Sequence, residues 1–341
     1  MLKINKCDLT ALYARLAGNG DLYLPVRAAG KTNFALWQAD SQVDLDTLKS
    51  VKSPKDAFFP QSESLYGVHR RESKLTVTPA KLQDRPFVLF GIKACDVRGI
   101  AVLDKVFLSD PVDSFYAARR EHGTVVALAC GRPETSCFCK VFGIDCAEPE
   151  GDVVTWLTED ALYWQPKTAK GEVLTEQVRD LLTDTDEAAV KAQQAAIRVI
   201  VEKLPYSQLS LENWGAEAAQ KNFDSPIWEQ LYKPCLACGT CTFVCPTCQC
   251  YDIKDYDTGS GVQRYRCWDS CMYSDFTMMA HGNNRTSQMQ RFRQRFMHKL
   301  AYFPANNDGM FSCVGCGRCV DKCPSHLNIV KVIKAFEKEG V

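Results

Sequence analysis

Residues 235–246 read CLACGTCTFVCP, and residues 313–324 read CVGCGRCVDKCP. Both follow one rule, C-x2-C-x2-C-x3-C-P, with glycine between the second and third cysteines. That is the thiolate spacing of paired [4Fe–4S] cubanes. A cubane offers four iron corners. Three cysteines at i, i+3 and i+6 wrap one face of it on a tight loop. Gly239 and Gly317 allow that loop a positive φ and turn amides toward the sulfurs. The fourth cysteine cannot fold back onto its own loop, so it serves the other cluster. We therefore expect one cluster on Cys235, Cys238, Cys241 and Cys323, and a second on Cys313, Cys316, Cys319 and Cys245. Zinc ribbons use paired C-x2-C knuckles, not four cysteines in eleven residues closed by proline. Residues 1–18 contain neither a central apolar run nor a small-residue cleavage site, so a secreted disulfide framework is not expected for the 18 cysteines.

Composition narrows the classes further. The chain has 341 residues, for which two domains are the natural expectation. Its 41 basic and 41 acidic residues cancel, which argues against nucleic acid or an anionic membrane as the main partner. No run approaches the ~18 apolar residues of a membrane-spanning helix. We expect a cytoplasmic chain with no membrane insertion.

Residues 1–215 read as a mixed α/β domain. Residues 87–92 (FVLFGI) and 124–129 (TVVALA) are strand-sized apolar runs. Between them, residues 98–107 carry a helical stripe at Ile100, Val102, Leu103, Val106 and Phe107. Strand, helix, strand predicts a parallel βαβ unit. Residues 184–204 predict a helix, with Asp184 and Glu187 as a capping box and Pro205 as its stop. The polar stretch 207–225 suggests a boundary, and residues 216–341 are read as a mainly α-helical, ferredoxin-like two-cluster domain. In its long central connection, residues 272–281 and 287–300 look helical, with Phe292, Phe296 and Leu300 on one face. Residues 328–338 predict the last helix. The basic segment RFRQRFMHK (291–299) is read as packing beside the clusters, where positive charge favours the reduced state.

Ten cysteines lie outside the two motifs. Cys95 and Cys130 follow the two predicted strands, and Cys137 and Cys139 follow as C-F-C. Sites in open α/β sheets gather at the carboxyl ends of strands, so these four are a candidate third cluster or, alternatively, buried apolar thiols. Cys248, Cys250, Cys267 and Cys271 admit three readings: a further metal site, a redox-active thiol pair, or packing around the first cluster. Cys7 and Cys146 show no partner and read as structural. There is no GxGxxG after a strand, no P-loop and no nucleophile–base constellation, so a partner must supply any nucleotide or flavin.

The ordered set FGIKACDVRGI (90–100), CFC (137–139), CLACGTCTFVCPTCQCYD (235–252), WDSCM (268–272), RFRQRF and CVGCGRCVDKCP resembles the β subunits of soluble sulfhydrogenases, NiFe hydrogenases that use NAD(P)H. It is similar also to the two-cluster electron-transfer subunits of anaerobic sulfite reductases. The resemblance spans nearly the whole chain. It implies an iron–sulfur electron-transfer subunit. Such a subunit relays electrons between a reductase subunit that binds flavin and NAD(P) and a catalytic one, a NiFe hydrogenase or a sulfite-reductase type. The resemblance matches Cys95, Cys130, Cys137 and Cys139, and so implies the third [4Fe–4S] cluster. It also matches Cys248, Cys250 and Cys271. Cys267 departs from the pattern, as does KVFGIDC (140–146) after the CFC. Alternative functions are a subunit of an anaerobic sulfite reductase or of a heterodisulfide-reductase-linked complex, or a sulfur-reducing subunit that uses the N-terminal thiols or Cys248, Cys250 and Cys271.

Overall fold

The computed structural model describes residues 1–338. Its strands are β1 (Leu2–Asn5), β2 (Asp21–Ala28), β3 (Lys31–Leu36), β4 (Ser62–Arg71), β5 (Lys74–Pro79), β6 (Phe87–Ile92), β7 (Gly123–Leu128), β8 (Val153–Leu157), β9 (Ala161–Pro166), β10 (Thr183–Asp184), β11 (Tyr251–Asp257) and β12 (Gly261–Trp268), with two-residue strands at Met278–Met279 and Gly282–Asn283. An eight-stranded sheet runs β10-β1-β9-β8-β7-β6-β2-β3. Its centre, β2-β6-β7-β8, is parallel, and its flanks are antiparallel.

The predicted βαβ unit is present. All six residues of β6 are buried, as expected of a parallel strand covered on both faces. The helix that follows is Ala94–Phe107, four residues longer at its start than the apolar stripe suggests, and a second helix, Ser114–His122, precedes β7. Side chains alternate between the two faces. Val88 and Phe90 of β6 pack with Leu12 and Leu16 of the helix Leu9–Ala17. Phe87 and Leu89 pack with Leu103, Phe107 and Tyr116 on the other face. This crossover sets Cys95 and Cys130 beyond adjacent strand ends.

The expected capping box at Asp184 and Glu187 does not form. The helix runs Ala188–Glu202, and Glu187 makes no side-chain cap bond. Asp184 is drawn away because β10 pairs with β1, Leu2 against Asp184, and its carboxylate accepts from Arg179 at 2.7 Å. The Ala188 N–H instead donates to Asp186 at 3.0 Å.

The C-terminal part is less helical than expected. β11 and β12 form an antiparallel hairpin, Tyr251 opposite Trp268. β12 also pairs with β4, which gives a second sheet of order β11-β12-β4-β5 with strands from both sides of residue 215. Residues 272–281 are not a helix but a short 3-10 turn, Asp275–Thr277, before Met278–Met279. Asn283 explains the difference: it donates to the Ser274 carbonyl and accepts from the Thr277 hydroxyl, both at 2.7 Å, in place of a helical ladder.

The other two helices stand. Gln288–Met297 opens on a Ser287–Gln290 capping box and continues as a π turn over His298–Tyr302. Phe292, Phe296 and Leu300 are buried with Trp228, Ile333 and Phe336. The last helix is Ile329–Lys338, and Asn328 accepts from the amides of Val330 and Lys331 at its start. Among the described residues no helix is long and apolar enough to cross a membrane.

Candidate metal centre

The two motif loops adopt matching shapes. Gly239 and Gly317 have φ of +72° and +79°, and each heads a short helix, Thr240–Phe243 and Arg318–Lys322. A side chain at either position would strain the turn. Cys235, Cys238, Cys241 and Cys323 line one pocket together, with Met272, Phe292, Arg295, Phe296 and Leu327 as walls. Cys323, the fourth cysteine of the other motif, thus stands beside the three of the first loop. Cys323 is held from both sides: its Sγ accepts the Leu327 N–H at 3.2 Å and donates to the Leu327 carbonyl at 3.1 Å.

In the second set, Cys245 stands among the cysteines of the other loop, and its charge acts on Cys313, Cys316 and Cys319. Burial pushes the Cys313 thiol up to about 12 and raises Cys316 and Cys319. Burial likewise pushes Cys241 to about 12, whereas the Thr240 hydroxyl holds exposed Cys238 below its ordinary value.

The CFC loop docks on the second motif loop. The Phe138 amide donates to the Gly315 carbonyl at 2.8 Å. A Cβ on Gly317 would come within 2.6 Å of the Ser136 carbonyl oxygen. Arg318 reaches across to Asp96 with two bonds of 2.7 Å, and the pair is 3% and 2% exposed. Cys95, Cys130 and Cys139 pack in one cluster with Cys316. Cys137 is half-buried, and burial pushes its thiol up to about 11. Burial, followed by Asp96 and Cys316, raises Cys95. The four N-terminal cysteines are therefore neighbours, and they adjoin the second set.

Cys146 belongs with them. It packs in one buried cluster with Cys130 and Cys139, and its carbonyl accepts the Cys130 amide at 2.9 Å. The sequence shows no partner for it because Cys146 is brought in by the turn after the CFC, where Gly143 has φ +69°. Among the remaining cysteines, the neighbouring Cys245 raises the Cys248 thiol, and Cys250 raises that of Cys271. Cys267 faces Lys254, Asp252 and Asp269 rather than any thiol, and Cys7 is exposed in the 3-10 turn Lys6–Asp8.

The charges around these sulfurs decide what they can hold. Lys55, Lys93, Arg295 and Lys299 are buried, and among the described residues none has a carboxylate partner in an ion pair. Burying an unpaired cation costs several kcal/mol, of order 3–5 when a partner is removed. Around Lys55, Arg295 and Lys299 the opposing groups are thiols, and around Lys93 they are thiols with Asp46 and Asp96; burial nonetheless lowers Lys55 and Lys93. Burial works against the Lys299 charge, yet Cys245 and Cys248 hold it above its ordinary value. Burial opposes Arg295 too, but Cys241 and Cys319 raise it, and its Nε is buried with no partner. Such a frame fits an anionic thiolate-bound cluster. Among the described residues no three His, Cys, Asp or Glu converge on one ion. Cubane thiolates sit on separate irons, and so stand wider than the ligands of a single ion.

A family model described as "4Fe-4S dicluster domain" matches residues 234–327. Over 344 aligned residues the chain is 32% identical to sulfhydrogenase 2 subunit beta of Pyrococcus furiosus, covering 100% of this chain and 99% of that one. The chain belongs to the sulfhydrogenase beta-subunit family. No solved structure matches it. The dicluster match covers all eight motif cysteines and leaves the N-terminal set outside it.

Proposed function

We propose that this sulfhydrogenase beta-type chain is the iron–sulfur relay of a multi-subunit oxidoreductase. Two [4Fe–4S] clusters sit on Cys235, Cys238, Cys241, Cys323 and on Cys313, Cys316, Cys319, Cys245. A third sits on Cys95, Cys130, Cys137 and Cys139. Bound there, the clusters supply single-electron transfer. The observation that carries the reading is the pair of buried cations Arg295 and Lys299, which cysteine sulfurs hold above their ordinary values and which have no carboxylate in an ion pair among the described residues. The contact of the CFC loop with the Gly315 loop supports an order in which the N-terminal cluster adjoins the second, and the second adjoins the first. Cys238 is the exposed cysteine of the three sets, which supports electron exchange with a partner at that end.

On this reading residues 1–215 carry the third cluster and residues 216–341 the other two, joined by the small sheet. The partners are a reductase subunit holding flavin and NAD(P) and a catalytic subunit, a hydrogenase as the name of the Pyrococcus relative suggests. The chain's own residues bind, insulate and charge-balance the clusters. The test is dye reduction by NADH or NADPH. The purified chain alone should give none, and adding its reductase subunit should start it. Reduction by the chain alone would end the relay assignment.

A further inference from the structure

We propose that Gly315 is the positioning residue that joins the N-terminal cysteine set to the second motif set for electron transfer. The two motif loops make the same turn with different residues inside it. Leu236 and Ala237 stand between the first two cysteines of one loop, and Val314 and Gly315 stand there in the other. Ala237 has φ +52° and Gly315 φ +59°. Alanine thus accepts this left-handed position in the first loop, so backbone conformation alone does not call for glycine in the second.

The surroundings of the loops make the difference. Leu236 is 69% exposed and Cys238 is exposed, so the first loop is open at these positions. Val314, Gly315 and Cys316 are buried. A Cβ on Gly315 would lie 2.4 Å from both the carbonyl carbon and the carbonyl oxygen of Phe138, and 2.6 Å from the Cys139 amide nitrogen. All three are backbone atoms, so no change of rotamer relieves the clash. Position 315 is glycine because the backbone of the CFC loop rests on its Cα.

That contact lies between cysteines of the two sets. The Phe138 amide donates to the Gly315 carbonyl at 2.8 Å. The Phe138 nitrogen is bonded to the carbonyl carbon of Cys137, and the Gly315 carbonyl carbon is bonded to the nitrogen of Cys316. One hydrogen bond therefore completes a main-chain path from Cys137 to Cys316. Cys139 and Cys316 also share one buried cluster. Electronic coupling between two sites falls steeply with the gap, and falls less along bonds than across empty space. A close main-chain contact at this point sets that coupling.

Lys49 holds the CFC loop down from outside. Its side chain is 9% exposed, and its Nζ lies 2.6 Å from the Ser136 hydroxyl, 2.8 Å from Glu134 and 2.5 Å from Asp321. It thus clamps the CFC loop to the helix Arg318–Lys322. The inference rests on the relay reading with its third cluster. In the step, one electron leaves the donor site and one arrives at the acceptor site, with no bond broken and no proton moved. Gly315 acts on that step through the gap it permits.

The test uses the whole chain purified without oxygen, as wild type, Gly315→Ala, Ala237→Gly and Lys49→Met. Iron should stay at about 12 per chain in every one. In Gly315→Ala, the spin–spin splitting between the N-terminal and second clusters, read by EPR after full reduction, should shrink. The Phe138 amide should exchange with deuterium roughly tenfold faster, as expected when a hydrogen bond of ordinary strength is lost. Lys49→Met should move both readouts the same way by less, and stands as the test if Gly315→Ala fails to fold. Ala237→Gly should change neither. Unchanged splitting in Gly315→Ala at full iron content would overturn the proposal. So would loss of about four iron in that variant, which would make Gly315 a requirement for assembling the site. About 8 iron in the wild type would instead overturn the third-cluster reading, and the proposal with it.

Discussion

At the residue scale, function rests on charge placed where water is absent. Lys299 is fully buried, donates to the Thr247 hydroxyl at 2.7 Å and to the Ser312 carbonyl at 3.2 Å, and faces Cys245, Cys248 and Cys313. A fixed positive charge there stabilises the extra electron of a reduced cluster. Lys299→Met should therefore lower the midpoint potential of the second cluster, by on the order of 50 mV or about 1 kcal/mol for one electron. Lys299→Arg should restore most of it. An EPR-monitored potentiometric titration measures both. The role of Lys299 is partly legible in the sequence: the basic segment 291–299 reads as packing beside the clusters, and the capping box and aromatic face put it there. The role of Lys55 is not legible. It lies some 190 residues from Cys248 in the chain, and only the packing of the turn Pro54–Ala57 brings it close.

At the element scale, local pattern succeeds where a segment makes its own contacts and fails where a distant partner decides. β6 is readable from FVLFGI because a parallel strand buried on both faces needs an unbroken apolar run. The helix Gln288–Met297 is readable from its 3.6-residue stripe. The hairpin β11–β12 carries a weaker signal, alternating Tyr251, Ile253 with charged residues and a Thr-Gly-Ser-Gly turn, and the surrounding cysteines obscure it. Asp184 looks like a helix cap until β1, at the far end of the domain, claims it as a strand. The π turn after Gln288–Met297 has a pH consequence. Burial lowers His298 from 6.5 to about 4. Between those values the unfolded chain binds a proton that the folded chain refuses, so stability is full above about pH 6.5 and falls as pH drops toward 4. Urea midpoints at pH 7.5 and 5.5 should differ less in His298→Gln than in the wild type.

At the scale of the whole molecule, the cysteine loops and the small sheet β11-β12-β4-β5 together tie the two halves. The eight motif cysteines are legible because cluster ligation dictates spacing along the chain. The N-terminal set is legible only as four cysteines near strand ends. Its contact with the second motif loop, and the presence of Cys146, depend on the docking of residues 136–138 onto Gly315 and Gly317. Arg318 and Asp96 lock that docking as a buried pair. Arg318→Ala leaves Asp96 buried and uncompensated, and should cost about 3–5 kcal/mol in a denaturation experiment. It should also loosen the N-terminal site before the pocket of Cys235, Cys238, Cys241 and Cys323, which does not contact it. The measurement that bears most directly on the whole account is iron, acid-labile sulfide and zinc per chain, on protein purified without oxygen. The account predicts about 12 iron, matching sulfide and no zinc, three cubanes in all. About 8 iron would contradict the third cluster, and a colourless chain carrying zinc would contradict the account as a whole.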